Sequence, residues 1–278
     1  MNFGWLESLL MGITTGLTEI LPVSTQAHNR ILLKFMGRGE SAVLLNLMIH
    51  LGVLAAIYLS CQPHILKMLR AKNMSRIPKR KRKRPLDTRS LMDLSLWQTM
   101  LLPVILVFLF WRKLEGVSSN MIIMATLLFL NGLILYIPQF LPSSNKDCRS
   151  LSRVEGLLMG LGGALFSIPG FSGMGAALSV ASVIGVEKKY GLNMILLMDM
   201  GILAGKVIYD LMDLFSAGVA GFGITGLMYC ILAAVAAFLC AFFAIRFLRT
   251  LAENKGYGGF AYYSWGLALF TFVLTLMA

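Results

Sequence analysis

Charge is what this chain has least of. Its 278 residues include 25 Lys and Arg, 13 Asp and Glu and three His, so 14% are charged while 57% are hydrophobic. Soluble domains carry about 25% charged residues, and a water-soluble globular class is therefore excluded. Cysteine is sparser still. Cys61, Cys148, Cys230 and Cys240 show no metal-ligand spacing, which leaves them as small apolar fillers. A basic n-region is missing from the first apolar segment, so that segment is not expected to be a cleavable signal.

What is present are long apolar runs. Segments at roughly 41–61, 93–111, 120–141, 189–209, 218–248 and 259–277 are long enough, at about 1.5 Å per residue, to cross a hydrocarbon core of about 30 Å. The fifth is longer than a span requires and is expected to tilt or project. The fold class is all-α and polytopic, a single membrane domain over 1–278 with about six transmembrane helices. The net charge of +12 comes largely from one stretch, Lys67 to Arg89, which holds nearly half of the Lys and Arg. Between two spans such a run reads as a cytoplasmic loop, 62–92, touching anionic lipid. A nucleic-acid partner is not expected.

Two apolar regions, roughly 3–36 and 153–185, are interrupted near their centres: ILPVSTQAH in the first and SIPGFSGMG in the second. They also resemble each other. ESLLMGITTGL from Glu7 lies over EGLLMGLGGAL from Glu155 without a gap, and the same offset brings Ser24 onto Ser172. This reads as an internal repeat, the first copy in 1–141 and the second in 153–278. With loop 62–92 inside, the loops 142–152 and 249–258 also fall inside, and the loop near Asp210 and Asp213 falls outside. The turn with Arg112, Lys113 and Glu115 is the one weak fit. The copies start from opposite faces, since an odd number of spans separates them. That predicts an inverted repeat with two re-entrant helix pairs and one site between broken helices. The breaks at Pro22 and Pro169 are expected to meet, with Ser24 and Ser172 lining one cavity.

The first break offers Glu19, Ser24, Thr25, Gln26 and His28, with Asn29 and Arg30 behind. Ionisable groups in apolar segments are costly to keep and are functional candidates. Ser172 and the amides of Gly170 to Gly175 come from the second break, and free N–H groups at a half-helix start favour phosphate. Glu19 and His28, nine residues apart across the break, are expected to face that cavity. Together these groups suit a phosphorylated lipid.

ILPVSTQAH resembles the EFLPVSSTGH segment of the undecaprenyl-diphosphatase (bacitracin-resistance) family, and IPGFSGMGA resembles its PGFSRSGAT segment. LNLMIHLGVLAAIY is similar to the family's FEVVIQLGSILAVV span and FAYYSWGLAL to its closing FAIYRF span, so the likeness covers nearly the whole chain. The resemblance implies a multi-pass protein of the bacterial plasma membrane, with an inverted repeat and re-entrant pairs, that removes the terminal phosphate of undecaprenyl diphosphate in cell-wall synthesis. It implies Ser172 as nucleophile or orienting group, His28 as proton carrier, and Glu19 as base or as ligand of a divalent metal (Mg or Ca). Ser24, Thr25, Gln26, Gly170 and Gly173 would hold the substrate. A homodimer is compatible with it.

The departures weaken that implication. Thr15 stands at the first of two motif Glu, Gly173 at the motif Arg and Met174 at the following Ser; His50 replaces a Gln and Asp199 a Pro. A single lost electrostatic donor costs about 10²–10³ in rate. The expectation is weakened or altered hydrolysis, raised by Gly173→Arg, with Arg30 or Lys206 as substitute cations away from the motif position. The alternative is a non-hydrolytic binder or transporter of undecaprenyl phosphate, with His50 and Asp199 coupling protons.

Overall fold

The computed structural model describes residues 3–82, 84–110, 120–142, 145–217, 223–254 and 256–276. Among these, regular structure is helical: α1 (Trp5–Ile20), α2 (Thr25–Phe35), α3 (Val43–Ser75), α4 (Thr88–Phe108), α5 (Met121–Tyr136), α6 (Arg153–Ala164), α7 (Gly173–Ile184), α8 (Lys188–Ala217), α9 (Ile224–Asn254) and α10 (Gly259–Leu276). The single extended pairing among them is an isolated bridge between Lys146 and Val186.

Six helices are long and apolar enough to cross a membrane: α3, α4, α5 with the turn that follows it, α8, α9 and α10. They are the six segments expected from the sequence. Leu102, Ile105, Leu106, Phe243, Phe247 and Leu269 stand exposed on them, which in a chain this poor in charge marks the surface facing lipid. α3 runs past the expected boundary at 61 to Ser75, carrying Pro63 within it. Leu, Lys, Arg, Met and Ala are good helix formers, and Met68 and Ala71 stay buried, so the basic stretch begins as helix before it becomes loop. α9 is 31 residues long, as its long apolar run predicted.

The other four helices are short. With 16, 11, 12 and 12 residues, they span about 17–24 Å, less than a hydrocarbon core. They form two hairpins, each returning to its own starting end. Glu7 near the start of α1 receives two hydrogen bonds from Arg38, beyond the end of α2, at 2.9 and 3.0 Å. Lys146, before α6, exchanges backbone bonds with Gly185 and Glu187, after α7, at 3.1 and 3.0 Å. The hairpins also begin alike. In each, a Glu reaches back to the amide that opens the helix, Glu7 to Gly4 and Glu155 to Ser152, both at 2.7 Å.

Several helix contacts recur between α1–α5 and α6–α10, although α7 also packs on α5 and α8 where α2 has no comparable contact. α1 lies on α9 as α6 lies on α4; α3 packs against α9 as α8 packs against α4; α3 meets α8, and α5 meets α10. Small residues allow these approaches, because lipid tails give apolar helices no solvent-driven reason to associate and close packing has to supply it. A Cβ on Gly16 would sit 2.5 Å from the Ala237 carbonyl oxygen, and one on Gly160 would sit 2.2 Å from that of Met100.

Ion pairs gather several loops at one end of the bundle. Arg89 reaches Asp147 at 3.7 Å, and Lys189 reaches Glu253 at 2.9 Å. Gln139 donates to the Gly258 carbonyl at 3.1 Å. The segments 62–92 and 142–152 therefore meet, and 249–258 is held to the start of α8 and the turn after α5; the turn with Arg112, Lys113 and Glu115, and Lys255, lie outside the described residues.

Two measurements test this packing. Gly16→Val should destabilise the detergent-solubilised protein by about 1–3 kcal/mol through overpacking, whereas Gly39→Ala, in open space, should leave the unfolding temperature unchanged. Lys146 and the Ser152 amide hold the Glu155 carboxyl down at about 2, against an ordinary 4.5. Its stabilising contribution is complete above 4.5 and lost as pH falls through about 2. Being near the surface the effect is small, and Glu155→Gln should remove that acid dependence from the unfolding curve.

Candidate functional site

Each hairpin is broken by a proline, and the residue before it is forced out of helical conformation. Leu21 is extended (φ −70°, ψ 149°) ahead of Pro22, as Ile168 is (φ −102°, ψ 115°) ahead of Pro169. Gly170 then takes φ +102°, a left-handed conformation that needs glycine. Both breaks end on a serine that caps the next helix. Ser24 Oγ accepts from the Ala27 amide at 3.3 Å and Ser172 Oγ from the Gly175 amide at 3.1 Å.

The two breaks meet. Ser24 Oγ also accepts from the Gly170 amide at 3.1 Å, and Gln26 Nε2 donates to the Phe166 carbonyl at 3.1 Å. The Ser172 amide donates to Asn131 Oδ1 at 2.9 Å, and Asn131 Nδ2 donates to Ser264 Oγ at 2.9 Å. Asn131 is wholly buried on α5. The sequence reading passed it over, although a carboxamide midway along an apolar span is itself a signal.

A cavity lies at this junction, lined by Glu19, Thr25, Gln26, Ser172, Gly173, Met174, Asp199 and Lys206 together with Thr18, Val23, Phe166 and Phe171. Its free space is about 20 Å³, little more than one water occupies. Lys206 Nζ donates to Glu19 Oε1 and lies 5.4 Å from the centre of the Phe166 ring. Glu19 Oε2 and Asp199 Oδ2 are buried with no hydrogen-bond partner. Gly173 and Met174 begin α7, where a helix cannot pair its own first amides.

The structure thus brings Glu19, Thr25, Gln26, Ser172, Gly173 and Asp199 together and adds Lys206 as their cation. Ser24 instead ties break to break and does not line the cavity, and Gly170 spends its amide on Ser24. His28 does not line it either. Its Nδ1 faces the Ser24 carbonyl at 2.7 Å, so that nitrogen carries the proton, and Nε2 accepts from the Tyr263 hydroxyl at 2.6 Å; the two rings stack at 5.7 Å. His50 pairs with Asp210 at 2.6 Å, not with Asp199. Thr15, at the missing motif Glu, donates to Asn29 Oδ1 at 3.1 Å.

One expectation changes. A Cβ on Gly173 would lie 2.4 Å from the Gly163 carbonyl oxygen and 2.8 Å from Phe166 Cβ, so an arginine cannot be restored there without moving backbone. Glu19, the expected metal ligand, holds an ammonium, and the described residues contain no group of three or more His, Cys, Asp or Glu side chains able to hold an ion.

Six apolar spans with two proline-broken hairpins meeting at a charged, buried cavity define a polytopic helical membrane protein with an internal polar site. The sequence model of the family described as "Bacitracin resistance protein BacA" matches residues 8–270, and the chain belongs to that family. It is similar to the undecaprenyl-diphosphatase of Methanobrevibacter smithii (28% identical, covering 96% of each chain). The undecaprenyl-diphosphatase of Renibacterium salmoninarum is 28% identical over 97% of this chain and 95% of its own. That of Pseudarthrobacter chlorophenolicus is 30% identical over 96% of both.

Two substitutions test the junction. Ser24→Ala strands the buried Gly170 amide and uncaps α2, and should cost about 1–3 kcal/mol in unfolding free energy. Gly173→Arg should lower the unfolding temperature rather than raise activity. A stable Gly173→Arg protein would show that Gly163 and Phe166 yield more easily than their packing indicates.

Proposed function

We propose that the chain binds the phosphate end of a polyprenyl carrier lipid in the junction cavity and hydrolyses undecaprenyl diphosphate only weakly. The observation that carries this reading is that Lys206, Ser172 and the first residues of α7 line one cavity. A cation, a hydroxyl and unpaired N–H groups facing one space are the chemistry of an oxyanion site. The relatives' name supplies the substrate class, and the lipid-facing spans give an isoprenoid tail its surroundings.

Weak hydrolysis follows from what the cavity lacks. No guanidinium stands at Gly173 to brace a diphosphate, and His28 is engaged with Ser24 and Tyr263 instead of facing the cavity. Ser172 and Lys206 remain to hold a phosphate. In this reading the hairpins dip into the bilayer from opposite faces as parts of two inverted repeats, 1–141 and 153–278, with the basic segment 62–92 on the cytoplasmic side of a bacterial plasma membrane. The helix contacts that recur between the two halves also favour a second reading, transport of undecaprenyl phosphate by alternating access.

Phosphate release from undecaprenyl diphosphate by the purified protein, beside an Arg-containing relative, separates the readings. The expected rate is at least about a hundredfold below the relative's; equal rates would overturn the account of the missing arginine. Ser172→Ala should weaken binding of undecaprenyl phosphate by about tenfold or more, while His28→Ala should leave it nearly unchanged. The reverse order would place the site on the Tyr263 side of α2.

A further inference from the structure

The cavity's ammonium is engaged by a neighbouring side chain. Lys206 is 8% exposed, Glu19 6% and Asp199 4%. Only one of the two carboxylates is bonded to the ammonium, and an oxygen on each has no partner. A buried pair kept for stability is expected to have its remaining lone pairs satisfied, since unpaired buried charge is costly. This cluster leaves them open, within a space too small for a phosphate while Nζ rests on Glu19.

We propose that Lys206 is the phosphate-binding cation of this cavity and that Glu19 is its latch: the ammonium exchanges the Glu19 oxygen for a phosphate oxygen when the lipid headgroup enters. The inference rests on the binding reading above and deepens it. Lysine suits the task, because its flexible stem and three donors let a point charge move between two acceptors. It approaches from α8, across the cavity from Ser172 and the start of α7. Charge thus reaches the phosphate from an element with room for it, whereas residue 173 is walled in by Gly163 and Phe166. Because the protein carries its own cation, binding requires no divalent metal. Glu19 acts as a competitor for the ammonium, and Asp199, the second carboxyl group, lines the cavity from the same helix as Lys206.

The latch makes an unusual prediction: removing a buried acid from the site improves binding. Equilibrium binding of undecaprenyl phosphate to the purified full-length protein, with undecaprenol as the phosphate-free control, is measured in EDTA and in Mg²⁺. The wild type should bind equally in both. Glu19→Gln should bind several-fold tighter, since the competing carboxylate is gone. Lys206→Met should bind at least about tenfold weaker. Should Lys206→Met fail to fold because it strands Glu19, the double variant Glu19→Gln/Lys206→Met removes both partners, and it too should bind at least about tenfold weaker than wild type. Weaker binding by Glu19→Gln, loss of wild-type binding in EDTA, or a double variant binding like wild type would each overturn the latch. A wild type that does not distinguish undecaprenyl phosphate from undecaprenol would instead overturn the binding reading beneath it.

Discussion

A buried break in a helix leaves backbone N–H and C=O groups that only protein can satisfy, and this structure satisfies two breaks with each other. The Gly170 amide of one hairpin bonds to Ser24 of the other, and the Phe166 carbonyl accepts from Gln26. Asn131 on α5 takes the Ser172 amide and is itself held by Ser264 on α10. Neither hairpin satisfies its bend alone. The meeting of the breaks is therefore the condition for both, and the surrounding helices are arranged to enforce it.

That arrangement explains where charge is tolerated. Glu19, Asp199 and Lys206 lie on segments that would otherwise read as apolar filling, and all three come to rest at the junction, where polar backbone already has to be accommodated. Elsewhere the interior is closed by small residues on facing helices, and ion pairs sit at the ends. Glu7 with Arg38 and Glu155 with Lys146 close the two hairpins at their mouths. The hairpins thus have polar mouths and polar tips, with tight apolar contact between.

Within the family, the chain illustrates how a site can change its donors while keeping its frame. Serine caps begin α2 and α7 and proline breaks precede them, because these decide the backbone path. In the reading proposed above, the cation is supplied from another helix. A point charge acts through space and need only reach the cavity, while a cap acts through one set of bonds and cannot be relocated.

Much of this was legible in the residues. Long apolar runs and scarce charge determined six spans, since length and transfer free energy are local properties. Pro22, Pro169 and the serines that follow determined where the hairpins break and where the next helices start, again through local backbone chemistry. The offset that lays Glu7 on Glu155 and Ser24 on Ser172 joins residues with like local roles, the first two opening helices and the last two capping them. What periodicity could not decide was which way a side chain turns once its helix has neighbours. His28 and Ser24 carry the right chemistry for the cavity, but one turns toward Tyr263 on α10 and the other bonds across to Gly170. Lys206, distant in sequence from both motifs, reaches Glu19 because α8 packs on α7 and α3. Residue 173 is glycine for a reason visible only when Gly163 is seen against it. Local sequence sets where a helix starts and stops; the direction and partner of a buried polar group are set by contacts between segments far apart in the chain, and those exist only in the folded structure.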